Sequence, residues 1–517
     1  MPTFFAVIQR DGLMKQLVYL RMCLVIIAMA FVVHVLYFNC YVSDDAYISF
    51  RYAKNFINGH GLVWNVGEKP VEGYTNFLWV IIISIFMKMS FEPALVSKVL
   101  GTFFGLVTIL MVYLFPVLIL QRKNLLNLIA PVILACCGPF AAWSTGGLET
   151  HMFTAFILAG ALSYLYELEH EAMIPLPSAI LFSLASLTRP EGLLIFGLTC
   201  LHRFFHLLAS KKNPFSLKTF IWLGTFLTIY GLYFYWRFNY YGFLLPNTFY
   251  AKTGGGINQF WSGWTYLKLF FIHNSWPFAI SLSLLILLTP LRSPVIYLLL
   301  LTVSFSVYIV AVGGDFFPLF RFFVPLVPFM AILTQEGLIN LYQWLLQLRY
   351  PNWVKRSAIT FFLFIFMLAL TQGFISSINK RGQLLRGRKG STGRGITRGK
   401  WLRQHASPND TLAALAIGAI SYYSELKSFD RLGITDAHIA HVKMHLTGDR
   451  MPGHDKRDLN YIVSREPTYI FGPLIYRNFK PRYSAVSTIY QLYELFYIEF
   501  DGVEEKAYRL KEQKDQH

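Results

Sequence analysis

The sequence predicts an α-helical polytopic membrane protein with about 11 transmembrane helices, followed by a C-terminal extracytoplasmic α/β domain. Three observations carry that reading. The 517 residues are 55% hydrophobic and only 14% charged, whereas soluble domains carry about 25% charged residues. The apolar residues gather in runs long enough to cross a bilayer, which takes roughly 17–25 residues. After Gln372 that character ends, and a basic stretch and a mixed polar and apolar segment follow.

Arg10, Lys15 and Arg21 precede an apolar run from Cys23 to Phe38 with no small-residue cleavage site after it, so an uncleaved first span is expected. Apolar runs then place spans near 18–38, 93–120, 126–143, 148–166, 174–188, 191–209, 217–238, 272–290, 294–312, 321–344 and 357–377. The formal net charge is +18, but the basic residues sit mostly in loops, where they set orientation. No nucleic-acid partner is implied. Arg122-Lys123, the segment His202 to Lys218, Arg292 and the segment Arg349 to Arg356 then face the cytoplasm, with the N-terminus. That assignment holds only if the short apolar stretch 76–89, ending near Lys88, does not cross. It is therefore expected as a re-entrant or interfacial helix inside one long external loop, 39–92. Residues 379–405 read as a basic linker, a tether or a clamp for an anionic glycan or headgroup. Residues 406–517 read as a soluble domain, with strand character at Asp410 to Ala419, Thr468 to Ile475 and Gln491 to Phe500. The cysteines Cys23, Cys40, Cys136, Cys137 and Cys200 lie in or beside apolar segments and give no disulfide framework.

Nearly all the unusual polar sequence falls on the external face, which places the working site there. Ser43-Asp44-Asp45 directly follows the first span, and Ser43 is suited to cap the helix that the two acids open. Adjacent acids at a membrane boundary are tolerated when hydrated, paired or bound to a cation. One can act as a base toward a hydroxyl; together they can instead hold a divalent cation such as Mg, Mn or Ca. In the helix Asp44, Ile48, Arg51 and Asn55 share a face. Glu72 and Asn76 flank the re-entrant stretch, and Glu149 opens a span. Arg189 sits in the turn Thr188-Arg189-Pro190-Glu191. Asn247 and Lys252 lie in one external loop, Asp315 and Arg321 in another. The arginines and Lys252 suit a phosphate carried at headgroup depth. His438, His441 and His445 have helical spacing, but a solvated face accounts for them better than a metal site.

The segments Asp44 to Ala53, Asn58 to Val63 and Val71-Glu72-Gly73-Tyr74-Thr75-Asn76-Phe77-Leu78-Trp79 resemble the first external loop of GT-C membrane glycosyltransferases. The closest likeness is to the terminal β-(1→2)-arabinofuranosyltransferases of cell-wall arabinan. It continues at Gly147-Leu148-Glu149, Thr188-Arg189-Pro190-Glu191-Gly192, Pro246-Asn247-Thr248, Gly313-Gly314-Asp315 with Arg321, and Gly433-Ile434-Thr435-Asp436. The resemblance implies a GT-C-like catalytic domain over 1–378 and a periplasmic C-terminal domain. It further implies a bacterial inner-membrane location, a polyprenyl-phosphate sugar donor and a cell-envelope glycan or glycolipid acceptor among membrane lipids. It makes Asp44 the first choice of catalytic carboxylate, with Asp45 as its partner, and the sugar a pentofuranose. Ala46-Tyr47-Ile48-Ser49 and Gly73-Tyr74 depart from the arabinan pattern. Two other classes compete: a transporter or flippase for a lipid-linked sugar, and a non-catalytic envelope-assembly protein. Few ionisable groups inside the spans and no evident repeat disfavour transport.

Overall fold

The computed structural model describes residues 2–40, 42–170, 175–274, 284, 292–444, 455–474, 483–500 and 503–511. Among them, seven helices are long and apolar enough to cross a membrane, and the chain is a multi-pass membrane protein. The first is Val18–Phe38, the C-terminal part of α1 (Pro2–Phe38). After α2 (Asp44–Ile57) comes α3 (Phe77–Lys88), the stretch expected not to cross. Its 12 residues rise about 18 Å, short of the ~30 Å hydrocarbon core. Pro93 and the Glu92 carboxylate, which accepts from the Leu95 N–H at 2.7 Å, start α4 (Pro93–Leu118).

The expected span 126–143 is two short helices, α5 (Ile129–Cys136) and α6 (Gly138–Trp143), broken where Gly138-Pro139 cannot continue the ladder. Then follow α7 (Thr150–Glu169), α8 (Leu176–Thr188), α9 (Glu191–Ala209) and α10 (Leu217–Tyr241). Two helices without a sequence expectation come next, α11 (Asn247–Lys252) and α12 (Gly256–Asn274). The expected span 272–290 falls almost wholly outside the described residues. The bundle closes with α13 (Ser293–Ala311), the central α14 (Val327–Gln347) and the 38-residue α15 (Asn352–Lys389).

Lipid tails are as apolar as leucine, so the helices cohere by close fit. A Cβ at Gly101 of α4 would stand 2.1 Å from the Ser144 carbonyl oxygen, and one at Gly263 of α12 equally close to that of Val310. Large rings fill the interior, including Trp79, Trp143, Tyr164 and Trp222. By contrast α10 and α15 turn Leu232, Tyr235, Phe361 and Phe364 outward, as lipid-facing helices do.

The basic stretch corrects an expectation: 379–405 is no linker. Helix α15 runs on to Lys389, and α16 (Ser391–His405) packs against the soluble domain. Its glycines make a groove, since a Cβ at Gly399 would meet the Ile420 carbonyl oxygen at 2.7 Å. Beyond it lies one five-stranded sheet in the order β2-β1-β3-β5-β4, from β1 (Thr411–Ala414), β2 (Lys427–Asp430), β3 (Tyr469–Phe471), β4 (Tyr493–Phe500) and β5 (Val503–Leu510). Strands β2, β1 and β3 run parallel; β5 turns back against β3 and pairs with β4 as a hairpin. Helix α17 (Gly418–Ser424) crosses between β1 and β2 and reaches the bundle.

Candidate active site

Helix α2 is the strut between bundle and soluble domain. Ser43 holds the N-cap position, but its side chain makes no cap bond, contrary to expectation; its N–H donates instead to the Gly146 carbonyl at 3.0 Å. The first-turn acids then diverge. Asp44 is 8% exposed and accepts from the Gly418 and Ala419 N–H groups, each at 2.9 Å, one per carboxylate oxygen. Burial pushes its carboxyl up to about 6, with the two N–H groups pulling the other way. Two turns on, Arg51 donates to the Ser421 carbonyl at 2.6 Å, to Leu426 at 2.8 Å and to Trp64 at 2.9 Å, with Asn65 and Ser428 completing its shell. A carboxylate thus meets the N-terminal end of α17 and a guanidinium its C-terminal end, the polarity a helix dipole favours. Arg51, expected to bind substrate, is a clasp whose donors are all committed.

Asp45 points elsewhere. It lies at the junction of two cavities, and among the described residues no hydrogen bond reaches its carboxylate. The larger, about 1010 Å³, opens between the bundle and the soluble domain; the smaller, about 80 Å³, lies toward the bundle. Of the two acids, Asp44, the first choice on the resemblance, is committed to the N–H groups of α17, and Asp45 faces both cavities. A divalent ion held by both carboxylates together would first have to take Asp44 from its N–H donors.

The small pocket gathers most of the expected residues: Asn76, Glu149, Arg189, Lys252 and Arg321 line it with Asp45. Asn76 donates to Glu149 at 2.7 Å and exchanges hydrogen bonds with Ser49. Arg189 bridges Glu149 at 2.7 Å and Glu191 at 2.8 Å, and the Tyr308 hydroxyl donates to Glu191 at 3.1 Å. Every nitrogen of Arg189 is engaged, so it braces the pocket instead of offering a free cation to phosphate. Arg321 forks onto Asp315 at 2.7 and 3.2 Å through Nε and Nη2, and among the described residues Nη1 makes no hydrogen bond. Behind it the backbone is strained: Leu319 and Phe320 have φ of 59° and 49°, left-handed values unusual for such residues. The Trp143 indole N–H holds that turn from the Pro318 and Leu319 carbonyls, at 3.2 Å each.

Two expected residues lie apart. Glu72 pairs with Arg237 of α10 at 2.6 Å, and burial pushes its carboxyl up to about 7. The Asn247 amide donates to the Gly433 and Ile434 carbonyls at 2.8 and 2.9 Å, tying α11 to the soluble domain. Both are structural contacts. His438 stacks on Tyr461 and meets Asp458, and the His441 ring lies tilted against Tyr250 at 4.4 Å; His445 is outside the described residues. Among the described residues no group of three or more His, Cys, Asp or Glu gathers as metal ligands do. Sequence reasoning missed Arg237, Tyr308 and Trp143, which lack any local signal.

Residues 383–510 match a family model described as a domain of unknown function, DUF8728; the match begins within the stretch expected as linker. Over 274 residues the chain is 25% identical to the terminal beta-(1->2)-arabinofuranosyltransferase of Mycobacterium tuberculosis, a match covering 49% of this chain and 42% of that protein. The chain thus spans under half the length of that curated relative. The fold is similar to ArnT from Cupriavidus metallidurans bound to undecaprenyl phosphate, with a TM-score of 0.60 at 11% identity over 93% of this chain and 96% of that one. It is also similar to the Archaeoglobus fulgidus oligosaccharyltransferase, with a TM-score of 0.51 at 13% identity over 79% of this chain and 64% of that one. The chain has the fold of the GT-C membrane glycosyltransferases.

Proposed function

We propose that this chain is a glycosyltransferase of the bacterial inner membrane. It transfers a sugar from a polyprenyl-phosphate donor to a cell-envelope glycan or glycolipid at the outer face. Asp45 carries the reading: a carboxylate that no hydrogen bond reaches among the described residues, between a pocket lined by Arg189, Lys252 and Arg321 and a cleft large enough for a glycan. Asp45 accepts the proton of the acceptor hydroxyl as its oxygen attacks the anomeric carbon. The bond from that carbon to the phosphate oxygen breaks, and the electron pair leaves on the lipid phosphate. Lys252 and Arg321 stabilise that charge, while Arg189, Glu149 and Asn76 keep the pocket in register. Ser49, Tyr308 and the strained Leu319-Phe320 turn position the groups around it.

The 25% identity to an arabinofuranosyltransferase supports a pentofuranose as the sugar. The deciding experiment compares envelope glycans, by composition and linkage, from cells lacking the protein and cells carrying wild type or Asp45→Asn at equal abundance. Loss of one terminal linkage in both deficient strains supports the reading. Unchanged glycan with abundant Asp45→Asn protein overturns it and leaves an assembly role.

A further inference from the structure

The small pocket, at about 80 Å³, holds a phosphate-sized group and no oligosaccharide, because binding sites for larger molecules run to roughly 300–1,000 Å³. The bulky substrate must therefore enter the cleft of about 1010 Å³. That cleft carries an unbalanced charge. Arg386, Arg394, Arg398, Arg457 and Lys506 line it, against Asp44, Asp45 and Asp430. Two of those acids are committed to backbone: Asp44 to α17, and Asp430 to the N–H groups of Leu432 and Thr435 at 2.8 and 2.9 Å. Glu505 is one carboxylate between two guanidiniums, meeting Arg398 closely and Arg394 at 3.6 Å. The Arg394 side chain is 54% exposed, and Arg386 and Lys506 are exposed as well. Phe316, Phe317 and Tyr508 add ring surfaces beside the cations.

We infer that this cleft is an acceptor subsite for a glycan bearing anionic groups, phosphate or carboxylate, gripped by Arg386 and Arg394 from the long helix and α16 and by Lys506 from β5. The inference rests on the transferase reading and narrows its acceptor class. A neutral acceptor would gain nothing from cations on three separate elements. The donor's single phosphate has Lys252 and Arg321 on the other side of Asp45. Guanidinium forks suit phosphate and carboxylate, and their aromatic neighbours suit the sugar rings between them.

The test measures binding apart from turnover. The full chain in neutral-lipid nanodiscs is titrated with fluorescent short polyphosphate, with fluorescent oligogalacturonate and with a neutral dextran oligosaccharide. At least one anionic probe should bind more tightly than dextran, and the double variant Arg386→Gln/Arg394→Gln should weaken it about tenfold or more. Asp45→Asn, which removes a negative charge from the cleft wall, should bind the probe at least as tightly as wild type does. Whichever anion binds more tightly identifies the acceptor's charged group. Equal binding of dextran, or an unchanged double variant, overturns the inference. So does displacement of the probe by undecaprenyl phosphate, which would give these cations to the donor. Loss of binding in phosphatidylglycerol discs would give them to headgroups and overturn it too. None of these outcomes depends on the glycan comparison in Asp45→Asn cells, so the two readings can fail separately.

Discussion

Just beyond the C-terminal end of the 26-residue α4, Arg122 donates to Glu336 through both terminal nitrogens, at 2.9 and 2.5 Å, and to Asn127 through Nε at 2.9 Å. Nearby, Glu167 accepts from the Ser178 N–H and hydroxyl, and the Trp222 indole donates to the same hydroxyl at 2.8 Å. At the opposite end, the same residue types stand half-satisfied: Asp45 faces two cavities, and Arg321, which lines the small pocket, has no hydrogen bond at Nη1 among the described residues. Closed polar networks hold a bundle together; open ones hold a place for something else. The same contrast separates the neighbouring acids Asp44 and Asp45.

The largest effect should come from removing the open carboxylate. Asp45→Asn should lower transfer by about 10²–10⁴-fold without changing the amount of folded protein, read by donor turnover in membranes. Stable activity in that variant would break the contrast. Next, Arg321→Gln should lower turnover sharply and, because it leaves the buried Asp315 carboxylate without its partner, should lower the unfolding temperature as well. Arg122→Ala should lower stability by the same route, stranding Glu336 in the bundle at a cost of about 3–5 kcal/mol for a buried pair, while turnover per folded molecule stays unchanged.

Asp44 should fall between these. Asp44→Ala leaves two buried N–H groups on α17 without acceptors, each costing about 1–3 kcal/mol, and should loosen the soluble domain, as read by proteolysis near 405–418. Because the folded carboxyl of Asp44 is raised to about 6, its contribution is fully present below the unfolded value of about 4. That contribution fades as pH rises through 6. Asp44→Asn should flatten that part of the stability profile. The smallest expected effect is chelation: turnover should survive EDTA with Asp45 as a proton acceptor, and loss restored by Mg, Mn or Ca would assign the site a cation instead.

Much of this arrangement was legible locally. Helical spans announce themselves through hydrophobic runs, and β1, β3 and β4 fall where strand character is strongest. The pocket residues were legible as polar groups that have no business beside apolar runs. What escaped depended on distance along the chain. Arg51 reads as a loose cation until Ser421, 370 residues on, takes its proton donor. Arg189 reads as a phosphate ligand until Glu149 and Glu191 close on it. The stretch 379–405 reads as a tether until Ala419 and Ile420 pack against Gly395 and Gly399.

The sequence by itself determined the membrane class, the boundaries of most spans and the end of the bundle where polar residues collect. Those properties follow from transfer of side chains between lipid and water, a residue-by-residue quantity. Only the tertiary structure decided which carboxylate is open and which arginines are committed. Hydrogen-bond capacity is shared among partners that meet in space, and sequence order does not record which partner arrives first.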